Sequence, residues 1–116
     1  MVKKLAVILV IAALVSLNVA AFSHPASSIE VKQDKAKGML IIKIIHPVRD
    51  AAKHYISKIV IKINGKVINT INRNKQMNKN HESLNVQVGA YKKGSKIEII
   101  TTCNVRGVKS ITVIGA

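Results

Sequence analysis

Beyond residue 28 the chain consists largely of short runs in which β-branched and other apolar residues alternate with polar ones. This period of two constrains the fold more than any other feature, because it puts successive side chains on opposite faces of an extended backbone. Ile29 and Val31 alternate with polar neighbours, and Asp34 to Gly38 has turn composition. Met39 to Ile45 is apolar except for Lys43, as suits a central strand, and His46 to Lys53 reads as a loop opened by Pro47. Tyr55 to Ile63 sets Ile59, Ile61 and Ile63 on one face. Asn64-Gly65 follows, a strong hairpin signal because both central positions of a type I′ turn take positive φ, and Lys66 to Ile71 returns as the partner strand. Arg73 to Glu82 is polar and asparagine-rich, and is expected to be a mobile loop. Leu84, Val86 and Val88 alternate with polar residues or glycine, and Gly94 marks a turn. Ile97 to Cys103 and Val108 to Ile114 are the last two strands, joined by a turn over Asn104 to Gly107. No segment holds a helical period. Seven short strands between turn signals predict an all-β protein, an immunoglobulin-like seven-stranded β-sandwich.

The N-terminus follows a different pattern. Lys3 and Lys4 precede an uncharged apolar run from Leu5 to Leu17, and small residues follow in Val19-Ala20-Ala21. This is the layout of a secretory signal peptide over residues 1–23, cut after Ala21 or after Ser23. The alternative, an uncleaved anchor, needs about 20 apolar residues to span ~30 Å of hydrocarbon, and the run is shorter. No cysteine stands just after it to carry a lipid. The expectation is an exported protein, periplasmic or extracellular, with its folded domain over residues 24–116.

Charge and composition exclude several function classes. Nineteen Lys and Arg against five Asp and Glu give a net charge of +14, a field that draws small anions, anionic lipid headgroups and wall polymers. Aromatic residues make up only 3% of the chain and tryptophan is absent, so a base-stacking platform for nucleic acid is not expected. Glu30, Asp34, Asp50, Glu82 and Glu98 fall singly, which leaves little for a paired-carboxylate hydrolase. No glycine-rich phosphate loop and no Gly-x-Ser-x-Gly elbow is present. Cys103 is the only cysteine, so an intramolecular disulfide framework and a cysteine-rich zinc module are both excluded.

What remains is a set of soft and borderline donors at the ends of elements: His24, His46, His54 and Cys103. His24 and His46 each precede a proline, which restricts the backbone at the histidine and keeps it out of a helix. Strand ends gather at two rims of a sandwich, so these residues can converge although they are far apart in sequence. Imidazole with thiolate suits iron, copper or zinc and does not suit magnesium or calcium. The competing reading is plain: scattered histidines are commonly surface residues, and a lone cysteine is commonly a small buried hydrophobe. The remaining histidine, His81, lies in the asparagine-rich stretch and is expected to face solvent.

The run His46-Pro47-Val48-Arg49-Asp50-Ala51-Ala52-Lys53-His54-Tyr55-Ile56, then Asn64-Gly65-Lys66, then Cys103-Asn104-Val105-Arg106-Gly107, resembles the iron domain of desulfoferrodoxins and superoxide reductases. The resemblance covers most of residues 24–114 and implies an immunoglobulin-like sandwich holding one mononuclear non-haem iron. It makes His46 and His54 equatorial ligands, Cys103 the axial thiolate and His24 the first ligand. The substrate it implies is a small anionic oxidant such as superoxide, served by an electron donor that the residues do not identify. Three departures accompany it. Arg106 stands where the family's Cys-Asn-x-His-Gly motif has a ligand, the His46–His54 loop is longer, and Phe22-Ser23 replace the Glu-Lys pair before the first ligand. The His-Pro, aromatic-Ile and Asn-Gly-Lys elements are also similar to the sulphur-compound chelating subunit of the thiosulfate-oxidation carrier complex. That likeness implies a non-catalytic module on the same kind of sandwich.

Overall fold

The structure, a computed structural model, describes residues 24–116, so the expected signal peptide lies outside the described residues. Seven strands form in chain order: β1 (Ser28–Asp34), β2 (Met39–Ile45), β3 (Ile56–Ile63), β4 (Lys66–Asn72), β5 (His81–Gln87), β6 (Lys96–Cys103) and β7 (Val108–Ile114). They make two antiparallel sheets, one ordered β1-β2-β5 and the other β4-β3-β6-β7. The all-β sandwich expected from the period-two pattern is therefore present. In the immunoglobulin constant arrangement the fourth strand joins the sheet of the first, second and fifth. Here β4 stays beside β3, because the Asn64-Gly65 turn is a tight hairpin, with φ of 51° and 82° at its two central residues.

The core lies where the inner faces of the two sheets meet. Ile29, Leu40, Ile42, Ile44, Leu84 and Val86 come from the first sheet, and Ile59, Ile61, Ile63, Ile97 and Ile99 from the second. Their registers are consistent across each sheet: Ile42 lies opposite Leu84 and Leu40 opposite Val86, while Ile61 lies opposite Ile99 and Ile63 opposite Ile97. The sheets are built from β-branched side chains that bury one face each, so burial of apolar area is the dominant favourable contribution to the fold.

The alternation also determines what stands at the ends of the strands. In β2 the inward positions are Leu40, Ile42 and Ile44, and the next one, just past the strand, is His46, which is fully buried. In β6 they are Ile97, Ile99 and Thr101, and the last is Cys103. The end of β2, the starts of β1 and β5, the start of β3 and the end of β6 share one rim. Next to that rim the β3–β6 register shifts between Ile56 and Lys58, placing Ile56 opposite Cys103. Such a bulge re-aims the strand that carries it.

Two expectations are corrected at this rim. Strand β5 begins at His81, three residues earlier than the alternation of Leu84, Val86 and Val88 indicated, because His81 to Gln87 pair in full register with β2. The Arg73–Glu82 segment is also anchored to the rest of the fold. Gln76 within it is buried and its backbone N–H donates to the Ala51 carbonyl at 2.8 Å. Backbone bonds from His46 to Asn80 and from Val48 to Lys79 tie its far end down.

Ile61 is fully buried at the centre of β3, whereas Val67 is half exposed on the edge strand β4. We expect Ile61→Ala to lower the unfolding free energy by about 2–5 kcal/mol. Val67→Ala should change it by less than about 0.5 kcal/mol. Urea unfolding of both variants checks this, and equal costs would contradict the assigned packing.

Candidate metal centre

His46, His54 and Cys103 converge at the rim described above, each offering one donor atom, and all three donors lie within 4.8 Å of one another. Each is held by a different device. His46 continues the inward alternation of β2, and its backbone N–H is bonded to the Asn80 carbonyl at 3.0 Å. Cys103 ends the inward alternation of β6, and its N–H donates to the Gly107 carbonyl at 3.0 Å.

His54 sits on the long loop between β2 and β3, where a strand register cannot place it. Asp50 closes that loop into a turn: its carbonyl accepts from the N–H groups of Lys53 at 3.1 Å and His54 at 2.9 Å, and its side chain accepts from Ala52 N–H at 3.0 Å. An aspartate that caps its own downstream backbone in this way organises a turn without a core. Asn104, the residue after Cys103, then grips both neighbours of His54. Its Oδ1 accepts from Tyr55 N–H at 2.8 Å and its Nδ2 donates to the Lys53 carbonyl at 2.9 Å, while Asn104 N–H donates to the Tyr55 carbonyl at 3.0 Å. The two chain segments are thereby locked side by side, and His54 Nε2 stands 3.1 Å from Cys103 Sγ, joined to it by a hydrogen bond.

His24 lies beside this group. Its ring centroid is 5.3 Å from that of His46 and 5.6 Å from that of His54, but its Nδ1 is 3.0 Å from the carbonyl of Pro25. Gly107 makes this approach feasible: it has φ of 94°, and a Cβ there would sit 2.9 Å from Pro25 Cδ. The structure thus brings together three of the four donors expected from sequence and sets the fourth ring against them. His81 opens β5, opposite Ile45 and half-buried on the face away from Glu82, and is not part of the group. Arg106 is exposed on the β6–β7 turn.

The donors present fit a transition metal. Imidazole and thiolate ligands bind such ions at about 2.0–2.3 Å, so two donors on one ion stand no more than roughly 4.4 Å apart, a few tenths of an ångström inside the span of this group. The group contains no carboxylate, so magnesium and calcium are disfavoured.

Gln76 has no counterpart in the sequence reading. It is buried, and its Oε1 stands 2.8 Å from His46 Nδ1 while its Nε2 donates to the carbonyls of His46 at 2.7 Å and Asn78 at 3.0 Å. A glutamine in an asparagine-rich polar stretch carries no local signal. Strand count places the β4–β5 loop on the same rim as the β2–β3 loop, but it does not single out Gln76 within that loop. No family model matches the chain, and no curated protein matches it.

Burial holds His54 below the ordinary imidazole range, and the nearby His46 and His24 push in the same direction. A lowered value keeps the ring neutral and its lone pair available to a metal. In the metal-free protein it also has a sign for stability. The unfolded ring takes a proton as pH falls below 6.5 while the folded ring resists, so the unfolded state binds more protons. The contribution is fully present above pH 6.5 and is lost as pH falls toward the folded value. We therefore expect unfolding of the chelator-treated protein to require less urea at pH 5 than at pH 7.5, with His54→Gln narrowing that difference. An unchanged or widened difference would contradict the assigned environment of His54.

Proposed function

We propose that the protein is an exported, mononuclear non-haem iron protein of the superoxide-reductase kind, in which His46, His54 and Cys103 hold the metal and His24 completes the set. The observation that carries this reading is the convergence of two imidazoles and the single thiol on one rim of an all-β sandwich. The order of the donors along the chain agrees with the resemblance set out above, which supports iron over zinc or copper. Ferrous iron held by these residues would supply the one electron that reduces superoxide to the peroxide level, with two protons taken from solvent.

The remaining contributions belong to the chain. Cys103 is buried against Ile56, so water is kept from its sulfur on the core side. His46 is fully buried and His54 only partly, which leaves the approach to the group on the His54 side. Lys53 and Arg106 are exposed on the two turns that carry His54 and Cys103. Together with a net charge of about +12 over residues 24–116 they favour arrival of an anion at this rim. Arg106 has no lone pair to donate, so its part is confined to charge.

The test is elemental analysis of untagged protein from iron-supplemented culture, alongside Cys103→Ser and His54→Ala, followed by a superoxide-consumption assay. We expect near-stoichiometric iron in the parent protein, lost in both variants, and superoxide consumption that is lost with it. Zinc in place of iron would contradict the reductase reading and leave a structural centre. Absence of metal from all three proteins would leave the sandwich as a partner-binding module.

A further inference from the structure

We infer that Gln76 is a positioning residue for the metal centre: it selects the Nδ1–H tautomer of His46 and so presents the Nε2 lone pair of that ring to the group formed with His54 and Cys103. The inference rests on the metal-centre reading above and deepens it.

A carboxamide can be rotated so that its nitrogen and oxygen exchange places, and a histidine ring can carry its proton on either nitrogen. Here neither choice is free. The Gln76 carboxamide has two contacts with backbone carbonyl oxygens, of His46 at 2.7 Å and Asn78 at 3.0 Å. Carbonyl oxygens only accept, so the atom facing both of them must be the NH₂ group. The other end of the carboxamide, 2.8 Å from His46 Nδ1, must then be the oxygen. An amide oxygen also only accepts, so Nδ1 must carry the hydrogen. In a neutral imidazole the second nitrogen then has a lone pair.

One contact competes. His46 Nε2 is 3.2 Å from the carbonyl oxygen of His24, which would also accept a hydrogen. A neutral ring cannot supply both. Gln76 is the closer partner, it is buried, and its orientation is held by two further bonds and by its own backbone bond to Ala51. The His24 carbonyl belongs to a partly buried residue at the edge of the rim. The fixed amide therefore decides the tautomer.

The consequence is a ligand pre-set for a cation. His46 is fully buried, so water cannot compensate a misdirected ring, and turning it costs the bond to Gln76. A hydrogen-bond acceptor behind a ligating imidazole fixes the ring's orientation and raises its basicity, and removing one typically costs 10–100-fold in metal affinity. Gln76 reaches the site from the β4–β5 loop, which explains why a surface-polar stretch is anchored across the rim.

The test compares the parent protein with Gln76→Leu and Gln76→Glu. A glutamate can still accept from Nδ1–H, although it cannot donate to the two carbonyls, whereas leucine can do neither. Two readouts are taken. Long-range proton–nitrogen NMR on the chelator-treated proteins at pH 8.5 reports the His46 tautomer, and competition with a chromogenic chelator reports Zn²⁺ affinity.

We expect Nδ1–H in the parent protein and in Gln76→Glu, with Zn²⁺ affinity retained within a few-fold. Gln76→Leu should lose that tautomer preference and about 10–100-fold in affinity. A purely structural role for the glutamine would instead affect both variants alike, since both lose the bonds to His46 and Asn78 carbonyls. An Nε2–H tautomer in the parent protein, or unchanged tautomer and affinity in Gln76→Leu, would overturn the inference. If the parent protein binds no Zn²⁺ and no iron, the metal-centre reading fails, while the tautomer comparison still decides what Gln76 does to His46.

Discussion

The period-two alternation of the two central strands is the constraint on which everything at the rim depends. The inward positions that bury Leu40, Ile42 and Ile44 in β2 end on His46, and those that bury Ile97 and Ile99 in β6 end on Cys103. A slip of one residue in either strand would turn its donor outward along with every core side chain behind it. The core packing therefore secures the donors, and their position is as stable as the sandwich itself. The loop-borne histidine depends on a separate arrangement, the turn organised by Asp50 and the grip of Asn104 on both sides of His54.

Placing polar groups at the inner end of an apolar core has a cost, since a buried donor or acceptor without a partner is destabilising by about 1–3 kcal/mol. Among the described residues every buried side-chain nitrogen and oxygen has a hydrogen-bond partner. His46 is bonded to Gln76, and Gln76 in turn to two backbone carbonyls. The bonding leaves one arrangement of this cluster favoured over its alternatives. That is what a metal ligand requires, because a ring free to rotate would lose entropy on binding.

Much of this was legible from the residues alone, and the exceptions have physical causes. The strands and their turns follow from alternation and from the Asn64-Gly65 pair, whose positive φ values are a local property of those two residues. The convergence of His46 and Cys103 follows from strand count, because each falls at the end of an inward alternation on the same side of the sandwich, whereas His54 is placed by the loop bonds of Asp50 and Asn104. The start of β5 carries no strand signal of its own because His81, Glu82 and Ser83 are polar, and their pairing with Ile45, Ile44 and Lys43 is dictated by β2, not by their own propensity. Gln76 is not legible in the sequence because its burial comes from a loop crossing the rim, a tertiary fact with no trace in the composition of the Arg73–Glu82 stretch. The position of β4 beside β3 is implicit in the hairpin, since Lys66 to Ile71 returns directly from the Asn64-Gly65 turn.

The central claim is that one metal ion is held by two or three imidazoles and the thiolate of Cys103. X-ray absorption at the zinc edge of the stoichiometrically loaded protein tests it most directly, because it reads the ligand atoms themselves. The account predicts one sulfur scatterer at about 2.3 Å together with nitrogen scatterers at about 2.0–2.1 Å, the sulfur shell disappearing in Cys103→Ser. A first shell of nitrogen and oxygen alone, or a spectrum unchanged by that substitution, would contradict it.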